Sequence, residues 1–348
     1  MRRSCLDLPE GLFVLLSGEN PPLGLAEFKA ACEAEGAGLE IIEDSGNVVR
    51  VKCESDLAIR AARRCSLLKS LCKEVAHLPA SPHEAMPMVN GMAIDVPQSP
   101  FLVRVQRIGG AGKPSDTPAW ERILGERLHL VTGASVDAEN PRTVFQLVVS
   151  FRGAILGEML WSPKRGRFLN RSPKRRPFTH PSNLTPQLAI CMLNMARVRE
   201  GQIVLDPFCG VGSTLMECHL LGGRPIGIDI AERMVRGSMR NLRWVGATQR
   251  GLILGDARNL PIREVDAIVT DPPYGRLSST HGERAEALFS ALLSGASEIL
   301  RRDGFLVTLS PLNIGIEEMA GKAGLEFEES YPILITKRLI RELAVFRR

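Results

Sequence analysis

An acidic residue, two prolines and an aromatic residue stand together at Asp271-Pro272-Pro273-Tyr274, at the end of the apolar run Ala267–Asp271. Two prolines hold an extended turn, in which the Asp271 carboxylate and the Pro272 carbonyl can both accept hydrogen bonds from one incoming NH2 group. These bonds draw the nitrogen lone pair out of conjugation, and the Tyr274 ring can stack on a planar base. The pattern therefore predicts group transfer to an exocyclic amine, with a turn that only closes a strand as the alternative.

A glycine-rich turn follows an earlier apolar run, in the segment Asp206–Thr214, and Asp229 and Asp256 end two further runs. Acidic side chains at such strand ends commonly bind the ribose hydroxyls of a nucleotide-like cofactor, although each could instead cap a helix. A carboxylate that leads into the turn repels pyrophosphate and suits a cationic ligand. Because S-adenosylmethionine carries both a sulfonium and an ammonium group, the turn favours methyl transfer over hydride transfer.

A basic, proline-punctuated segment precedes these motifs. No acidic residue lies between Glu158 and Glu200, so that the positive charge is concentrated although the formal net charge of the chain is only +5. We interpret the segment as a linker that contacts RNA phosphate, against the alternative of a solvated connector. The residues expected to bind RNA are Lys164, Arg165, Arg167, Arg171, Lys174, Arg175 and Arg176.

The elements after the basic segment alternate regularly between strand and helix. This alternation predicts a doubly wound α/β sheet, with a ligand at the carboxyl ends of its strands and a closing antiparallel hairpin. The predicted strands are Ile203–Phe208, Pro225–Ile230, Leu252–Asp256, Ala267–Asp271 and Phe305–Ser310; the helices are Ser213–Leu221, Ala231–Val245 and Arg284–Leu300; and the hairpin is Leu325–Ile335 with Leu339–Arg347.

Before the basic segment, short strands and helices occur in mixed order, which predicts an α+β module. The predicted strands are Gly11–Leu16, Val48–Lys52, Phe101–Arg107, Thr143–Phe151 and Gly153–Leu160, and the predicted helices are Leu25–Glu35, Leu57–Ala76 and Pro118–Leu128.

The length and composition set outer limits. A chain of 348 residues predicts two or three domains, and its 44% hydrophobic and 24% charged residues exclude global disorder. No apolar run approaches the roughly 18 residues of a membrane helix, so we expect a cytoplasmic protein with no membrane partner. The eight cysteines lack zinc-site spacing, and we expect reduced, mostly buried thiols and no metal.

The motifs together resemble a known family. Asp206–Thr214, Asp229, Asp256 and Asp271–Tyr274 are similar to the amino-group class of S-adenosylmethionine-dependent methyltransferases. The wider match, in Thr270–Arg276 with Arg175–Pro186 and Leu188-Ala189 upstream, resembles the archaeal and eukaryotic tRNA guanine-10 N2-methyltransferase family, which has an amino-terminal THUMP RNA-binding module. The segments Phe101–Arg107 and Val136–Pro141 and the strands up to Leu160 resemble that module.

The resemblance implies an activity and a set of site residues. Residues 1–56 and 57–161 would form the two parts of a THUMP-like module, 162–184 the basic linker, and 185–348 a Rossmann-like methyltransferase domain. S-adenosylmethionine would be the cofactor and tRNA the partner, with the target guanine flipped out of its stack. The implied catalytic residues are Asp271, Pro272, Pro273 and Tyr274, and the implied cofactor-binding residues are Asp206, Phe208, Gly210, Gly212, Asp229, Asp256, Ala257 and Thr185.

The motifs leave several alternatives open. The target could be guanine N2 at another tRNA position or in ribosomal RNA, or an adenine N6, and the chain could be an inactive RNA-binding adaptor. The sequence does not specify one methyl group or two, the oligomeric state, or whether a small protein partner is needed.

Overall fold

The computed structural model describes residues 11–92, 99–113, 116–181, 183–248, 251–273, 282–336 and 339–348. They form two compact units. Unit 1 takes the chain up to Pro21, then Gly38–Arg63 and Leu68–Pro163, and unit 2 takes Pro22–Ala37, Arg64–Leu67 and Lys164–Arg348. Unlike the contiguous segments predicted from the sequence, this division assigns the first helix, α1 (Pro21–Ala34), almost entirely to unit 2.

Unit 1 is built on a seven-stranded sheet. Its elements are β1 (Leu12–Leu16), β2 (Glu40–Asp44), β3 (Val48–Lys52), α2 (Ser55–Arg64), β4 (Leu68–Leu78), α3 (Pro82–Gly91), β5 (Phe101–Arg107), α4 (Asp116–Thr132), β6 (Thr143–Ser150) and β7 (Gly153–Trp161). The strand order is β2-β3-β1-β4-β7-β6-β5, with the pair β5–β6 parallel and the others antiparallel. Trp120 of α4 packs with Phe101 and Phe145 in the core of this unit.

The predicted helix Leu57–Ala76 is wrong in its second half. Helix α2 ends at Arg64, and the following residues form β4, which pairs with β1 on one side and β7 on the other. The apolar spacing of Leu68, Leu71 and Cys72 fits a helix, but these residues are buried in a central strand of the sheet. Long-range strand pairing has overridden the local pattern.

Unit 2 contains the alternating strands and helices. Besides α1, its elements are α5 (Pro186–Met195), β8 (Ile203–Asp206), α6 (Ser213–Leu220), β9 (Arg224–Asp229), α7 (Glu232–Trp244), β10 (Gly251–Leu254), β11 (Val265–Thr270), α8 (Gly282–Ile299), β12 (Leu300–Pro311), α9 (Ile316–Lys322), β13 (Glu326–Thr336) and β14 (Leu339–Arg347). The predicted strands, helices and hairpin match these elements to within a few residues at most ends, whereas α5 and α9 are not among the predicted elements.

The sheet of unit 2 has the order β10-β9-β8-β11-β12-β14-β13. Strands β8 to β12 are parallel, whereas β14 runs antiparallel to both β12 and β13, which confirms the doubly wound sheet and its closing hairpin. The chain order reverses between β8 and β11, and the carboxyl ends of strands at such a switch point form the usual ligand crevice of this architecture. In the part of the chain that the structure describes, no helix combines the length and hydropathy needed to cross a membrane.

Candidate functional site

The glycine-rich turn joins β8 to α6 at the switch point of the unit 2 sheet. Gly210 and Gly212 have φ angles of +51° and +77°, a region that favours glycine, and a Cβ atom at position 212 would lie 2.3 Å from the Ser238 hydroxyl oxygen. Asp229, at the end of β9, accepts hydrogen bonds from the backbone N–H of Gly210 at 2.9 Å and of Ala231 at 2.8 Å. Two adjacent strand ends are thereby tied together around the turn.

Asp206 lies beneath this turn as a buried carboxylate. It accepts hydrogen bonds from the Thr270 hydroxyl at 2.6 Å and the Phe208 backbone N–H at 3.1 Å. Burial raises its pKa to about 7, and the nearby charge of Asp271 acts in the same direction. The carboxyl ends of β8 and β11 therefore hold two acidic groups close enough to affect each other.

Asp271 follows β11 directly and pairs with Arg341 of β14. One Nη atom of Arg341 lies 2.6 Å from a carboxylate oxygen, and both side chains are only 15% exposed. Burial raises the pKa of Asp271 to about 6, while the Arg341 charge and hydrogen bond oppose that rise. Pro272 is buried and Pro273 exposed, and Tyr274 lies outside the described residues. The pairing with Arg341 thus favours the ionised form of Asp271 and orients its carboxylate.

The remaining residues predicted to bind cofactor lie at the same edge of the sheet or begin a nearby helix. Asp256 follows β10 and accepts hydrogen bonds from Arg258, which lower its pKa, and Ala257 is buried beside it. Phe208, in the turn, is half-buried. Thr185 accepts a hydrogen bond from the Leu188 N–H at 3.3 Å and so caps α5.

The basic segment is docked on unit 2 by two of its arginines. Arg171 makes a bidentate pair with the buried Glu217 of α6, at 2.8 and 2.9 Å. Arg176 is itself buried and donates to the Ser213 hydroxyl at 2.6 Å and to the Leu184 carbonyl at 3.1 Å. Both guanidinium groups therefore have acceptors inside the protein, and RNA contact by these two residues stays a prediction.

The other predicted RNA-binding residues differ in exposure. Lys164, Arg165, Lys174 and Arg175 are exposed, and Arg175 donates to the side chain of Asn170 at 2.7 Å. Arg167 is half-buried and donates to the Cys65 carbonyl at 2.9 Å. The four exposed cations are the members of this segment that can reach a phosphate.

Three further residues complete the site and carried no local sequence signal. Arg341 lies 70 residues beyond Asp271 in the chain, and Thr270, although it begins the matched segment Thr270–Arg276, has no role assigned there. Asn241, fully buried in α7, bonds to both the N–H and the carbonyl of Phe178 and to the Val211 carbonyl of the glycine-rich turn. Only the antiparallel register of β14 and the packing of α7 reveal these contacts.

The cysteines near the site are structural. Of the seven cysteines in the described ranges, six are buried and Cys53 is half-buried. Burial raises the pKa of the Cys209 and Cys218 thiols, so neither is a ready nucleophile. Among the described residues, no cluster of three or more histidine, cysteine or acidic side chains is arranged to hold a metal ion.

Comparisons with known proteins agree with this geometry. A family model described as RMKL-like, methyltransferase domain, matches residues 173–336. A tRNA (guanine(10)-N2)-dimethyltransferase of Methanothermobacter thermautotrophicus is 34% identical over 97% of this chain and 99% of its own length. A tRNA (guanine(6)-N2)-methyltransferase of Thermus thermophilus is 29% identical over 82% of this chain and 85% of its own length. The crystal structure of TrmN from Thermus thermophilus superposes with a TM-score of 0.57 at 25% identity, covering 97% of this chain and 99% of that one. The chain belongs to the tRNA (guanine-N2)-methyltransferase family.

Proposed function

We propose that this protein is an S-adenosylmethionine-dependent methyltransferase that modifies the exocyclic N2 of a guanosine in tRNA, at position 10. The observation that carries the proposal is the 34% identity, over nearly the full length of both chains, to a relative named for that reaction. The intact glycine-rich turn and the Asp271-Pro272-Pro273-Tyr274 motif favour an active enzyme over an RNA-binding adaptor.

The donor set at the sheet edge fits S-adenosylmethionine. Three carboxylates, Asp206, Asp229 and Asp256, stand at the ends of β8, β9 and β10, where a cationic ligand is favoured and a pyrophosphate is repelled. Asp229 would hold the ribose hydroxyls, and the open backbone of Gly210 would allow close approach of the ligand. When bound, the cofactor supplies an electrophilic methyl group.

Asp271 and Pro272 would act on the guanine amine. The Asp271 carboxylate and the Pro272 carbonyl oxygen would accept hydrogen bonds from the two N–H groups of this amine. These hydrogen bonds localise the lone pair on N2 and direct the lone pair at the methyl carbon. With S-adenosylmethionine bound, N2 would gain the methyl group as the carbon–sulfur bond of the cofactor breaks. The positively charged nitrogen then loses a proton, for which the adjacent Asp271 carboxylate is the acceptor. Arg341 keeps this carboxylate ionised beforehand.

RNA would be held by sequence-independent contacts. Unit 1 resembles a THUMP module in the segments named above, and we assign it the recognition of structured tRNA by shape and phosphate contacts. Lys164, Arg165, Lys174 and Arg175 would add phosphate contacts from unit 2. A paired guanine must leave its stack before N2 can reach Asp271, at a cost of roughly a few kcal/mol.

Incubation of unmodified tRNA with the protein and methyl-labelled S-adenosylmethionine tests the proposal. Mass spectrometry of the nucleosides should show label in N2-methylguanosine or N2,N2-dimethylguanosine, and digestion of the RNA should place it at position 10. An Asp271→Ala variant is the control, and it should give no labelled nucleoside. Label in N6-methyladenosine, or no label with any tRNA, would contradict the proposal.

Position 6 is the second candidate, because a relative named for guanine 6 also aligns with 82% of this chain. The same digestion separates the two, since positions 6 and 10 can be placed on different fragments. The ratio of monomethyl to dimethyl product in that experiment decides how many methyl groups are added.

A further inference from the structure

We propose that α7 carries a second RNA-backbone contact surface of unit 2, separate from the basic segment. Arg233, Arg236, Arg240 and Arg243 are spaced three, four and three residues apart, and all four are exposed. This spacing puts them on one helix face over about 15 Å, at 1.5 Å per residue. We call these four residues the α7 stripe. The inference rests on the proposed tRNA methyltransferase function.

The α7 stripe borders a concave site rather than a flat helix face. Phe178 lies against Gly237, where a Cβ atom would come within 2.0 Å of the ring. The Arg233 guanidinium carbon is 5.8 Å from the ring centroid. With Glu232, Arg236 and Arg240, these residues line a cavity of about 380 Å³. Cations around an aromatic ring in a cleft suit a phosphate with a neighbouring base.

The position of this cavity is fixed by buried contacts. The amide of Asn241 bonds to both backbone polar groups of Phe178, at 3.0 and 2.9 Å, so the ring is held on α7. Four residues before Phe178, Lys174 begins the exposed pair Lys174-Arg175. The stripe and these two cations therefore belong to the same unit, and only a short stretch of chain separates Lys174 from the ring that packs on α7.

The stripe also lies near the strands that carry the chemistry. Helix α7 begins three residues after Asp229 ends β9, and β9 is two strands from β11, which Asp271 follows. With strands about 4.8 Å apart, that separation is roughly 10 Å. RNA flanking a base held at Asp271 can therefore reach the first turn of α7.

The excess of positive charge on α7 favours RNA as the ligand of the α7 stripe over a surface that is only solvated. Helix α7 carries four arginines and one acid, Glu232, which forms an ion pair with Arg236. Arginine binds phosphate through a planar fork of donors, and a helix face of like charges is destabilising unless a polyanion neutralises it. An acidic protein surface is the competing occupant, and the experiment separates the two.

Two double variants with equal charge loss test the stripe. Arg233→Gln with Arg240→Gln removes two cations that line the cavity, and Arg263→Gln with Arg302→Gln removes two exposed cations elsewhere in unit 2. Binding of unmodified tRNA is measured across a potassium chloride series for both variants and the wild type. Each lost phosphate contact should lower the slope of log affinity against log salt by about 0.7–0.9, so the first variant should lose about 1.4–1.8 and the control nothing.

The outcomes separate this inference from the proposed function. Cofactor affinity and thermal unfolding should equal wild type in both variants. Salt slopes equal to the wild type in both variants would overturn the α7 surface as an RNA contact. If tRNA affinity is unchanged as well, the acidic protein surface remains as the occupant. If the wild type binds no tRNA, the proposed function fails, whereas a salt series on a single-stranded oligoribonucleotide still tests the stripe by itself.

Discussion

Replacing Arg341 with glutamine should shift the pH profile of methyl transfer to higher pH. Arg341 is the cation that opposes the burial-driven rise of the Asp271 pKa, from a contact of 2.6 Å between two side chains that are each 15% exposed. Unit charges about 4 Å apart interact by about 4 kcal/mol at an effective dielectric constant of 20, and an opposite charge at this range commonly moves a carboxyl pKa by about one to three pH units.

The profile shifts to higher pH because the ionised form of Asp271 is the active form. Only the ionised carboxylate of Asp271 is a charged hydrogen-bond acceptor and can take the proton that N2 loses, so wild-type activity should fall as the pH drops through about 6. Without Arg341 the pKa of Asp271 rises, and the acid limb should move up by about one to three pH units. Asp206, whose pKa is raised to about 7, is present in both the wild type and the Arg341→Gln variant, so its titration does not account for a difference between their pH profiles.

Single-turnover methylation at saturating cofactor and tRNA, from pH 5 to pH 9, measures this shift. Arg341→Lys keeps the charge and should restore most of the wild-type profile. Arg347→Gln is the matched control, because Arg347 lies on the same strand but pairs with Asp303 at the surface. If the Arg341→Gln profile superposes on the wild type with only a lower plateau, the argument that Arg341 keeps Asp271 ionised is refuted.

The other predictions separate the roles of single residues. Asp271→Ala should abolish turnover but leave cofactor affinity within about tenfold by calorimetry, because the carboxylate acts on the amine; near wild-type turnover would contradict the mechanism. Asp229→Ala should weaken cofactor binding by roughly 10- to 150-fold, the equivalent of about 1.5–3 kcal/mol, and unchanged affinity in a folded variant would remove Asp229 from the site. Lys174→Gln with Arg175→Gln should lower the salt slope of tRNA binding by about 1.4–1.8 without changing the unfolding temperature. Arg176→Gln should lower the unfolding temperature and leave the salt slope unchanged. The substitution leaves the buried acceptors on Ser213 and Leu184 without their donor.

The site residues that lie at strand ends could be predicted from the sequence. Asp206, Asp229 and Asp271 each close a short apolar run, and parallel strands bring their carboxyl ends to one edge. The partner of Asp271 could not be found this way. Arg341 comes 70 residues later in the chain and reaches Asp271 only because β14 pairs with β12 in a register that places it opposite Pro311.

The basic segment shows the complementary failure. Charge alone does not distinguish Arg175, which is exposed, from Arg176, which is buried one residue later. The difference is made by α6, which supplies Ser213 for one guanidinium and Glu217 for that of Arg171. For an arginine next to a proline in an acid-free stretch, the sequence predicts a side chain that contacts solvent or phosphate. Only tertiary packing shows that it has a partner inside the protein.

Helix α1 illustrates why the chain does not divide at the basic segment. Its apolar residues Leu23, Ala26 and Ala30 pack into the same core as α5 and the strands of unit 2. Glu27 of this helix is fully buried and accepts hydrogen bonds from the Ser66 and Leu67 backbone N–H groups and from the Asn194 amide, all at 2.8–2.9 Å. Burial raises its pKa and these donors oppose the rise, so that the carboxyl is satisfied only when all three segments are present. A methyltransferase unit that begins after residue 163 would lack this helix and the Ser66 and Leu67 donors, exposing its apolar core to water. The N-terminal helix is therefore an integral part of the unit that carries Asp271.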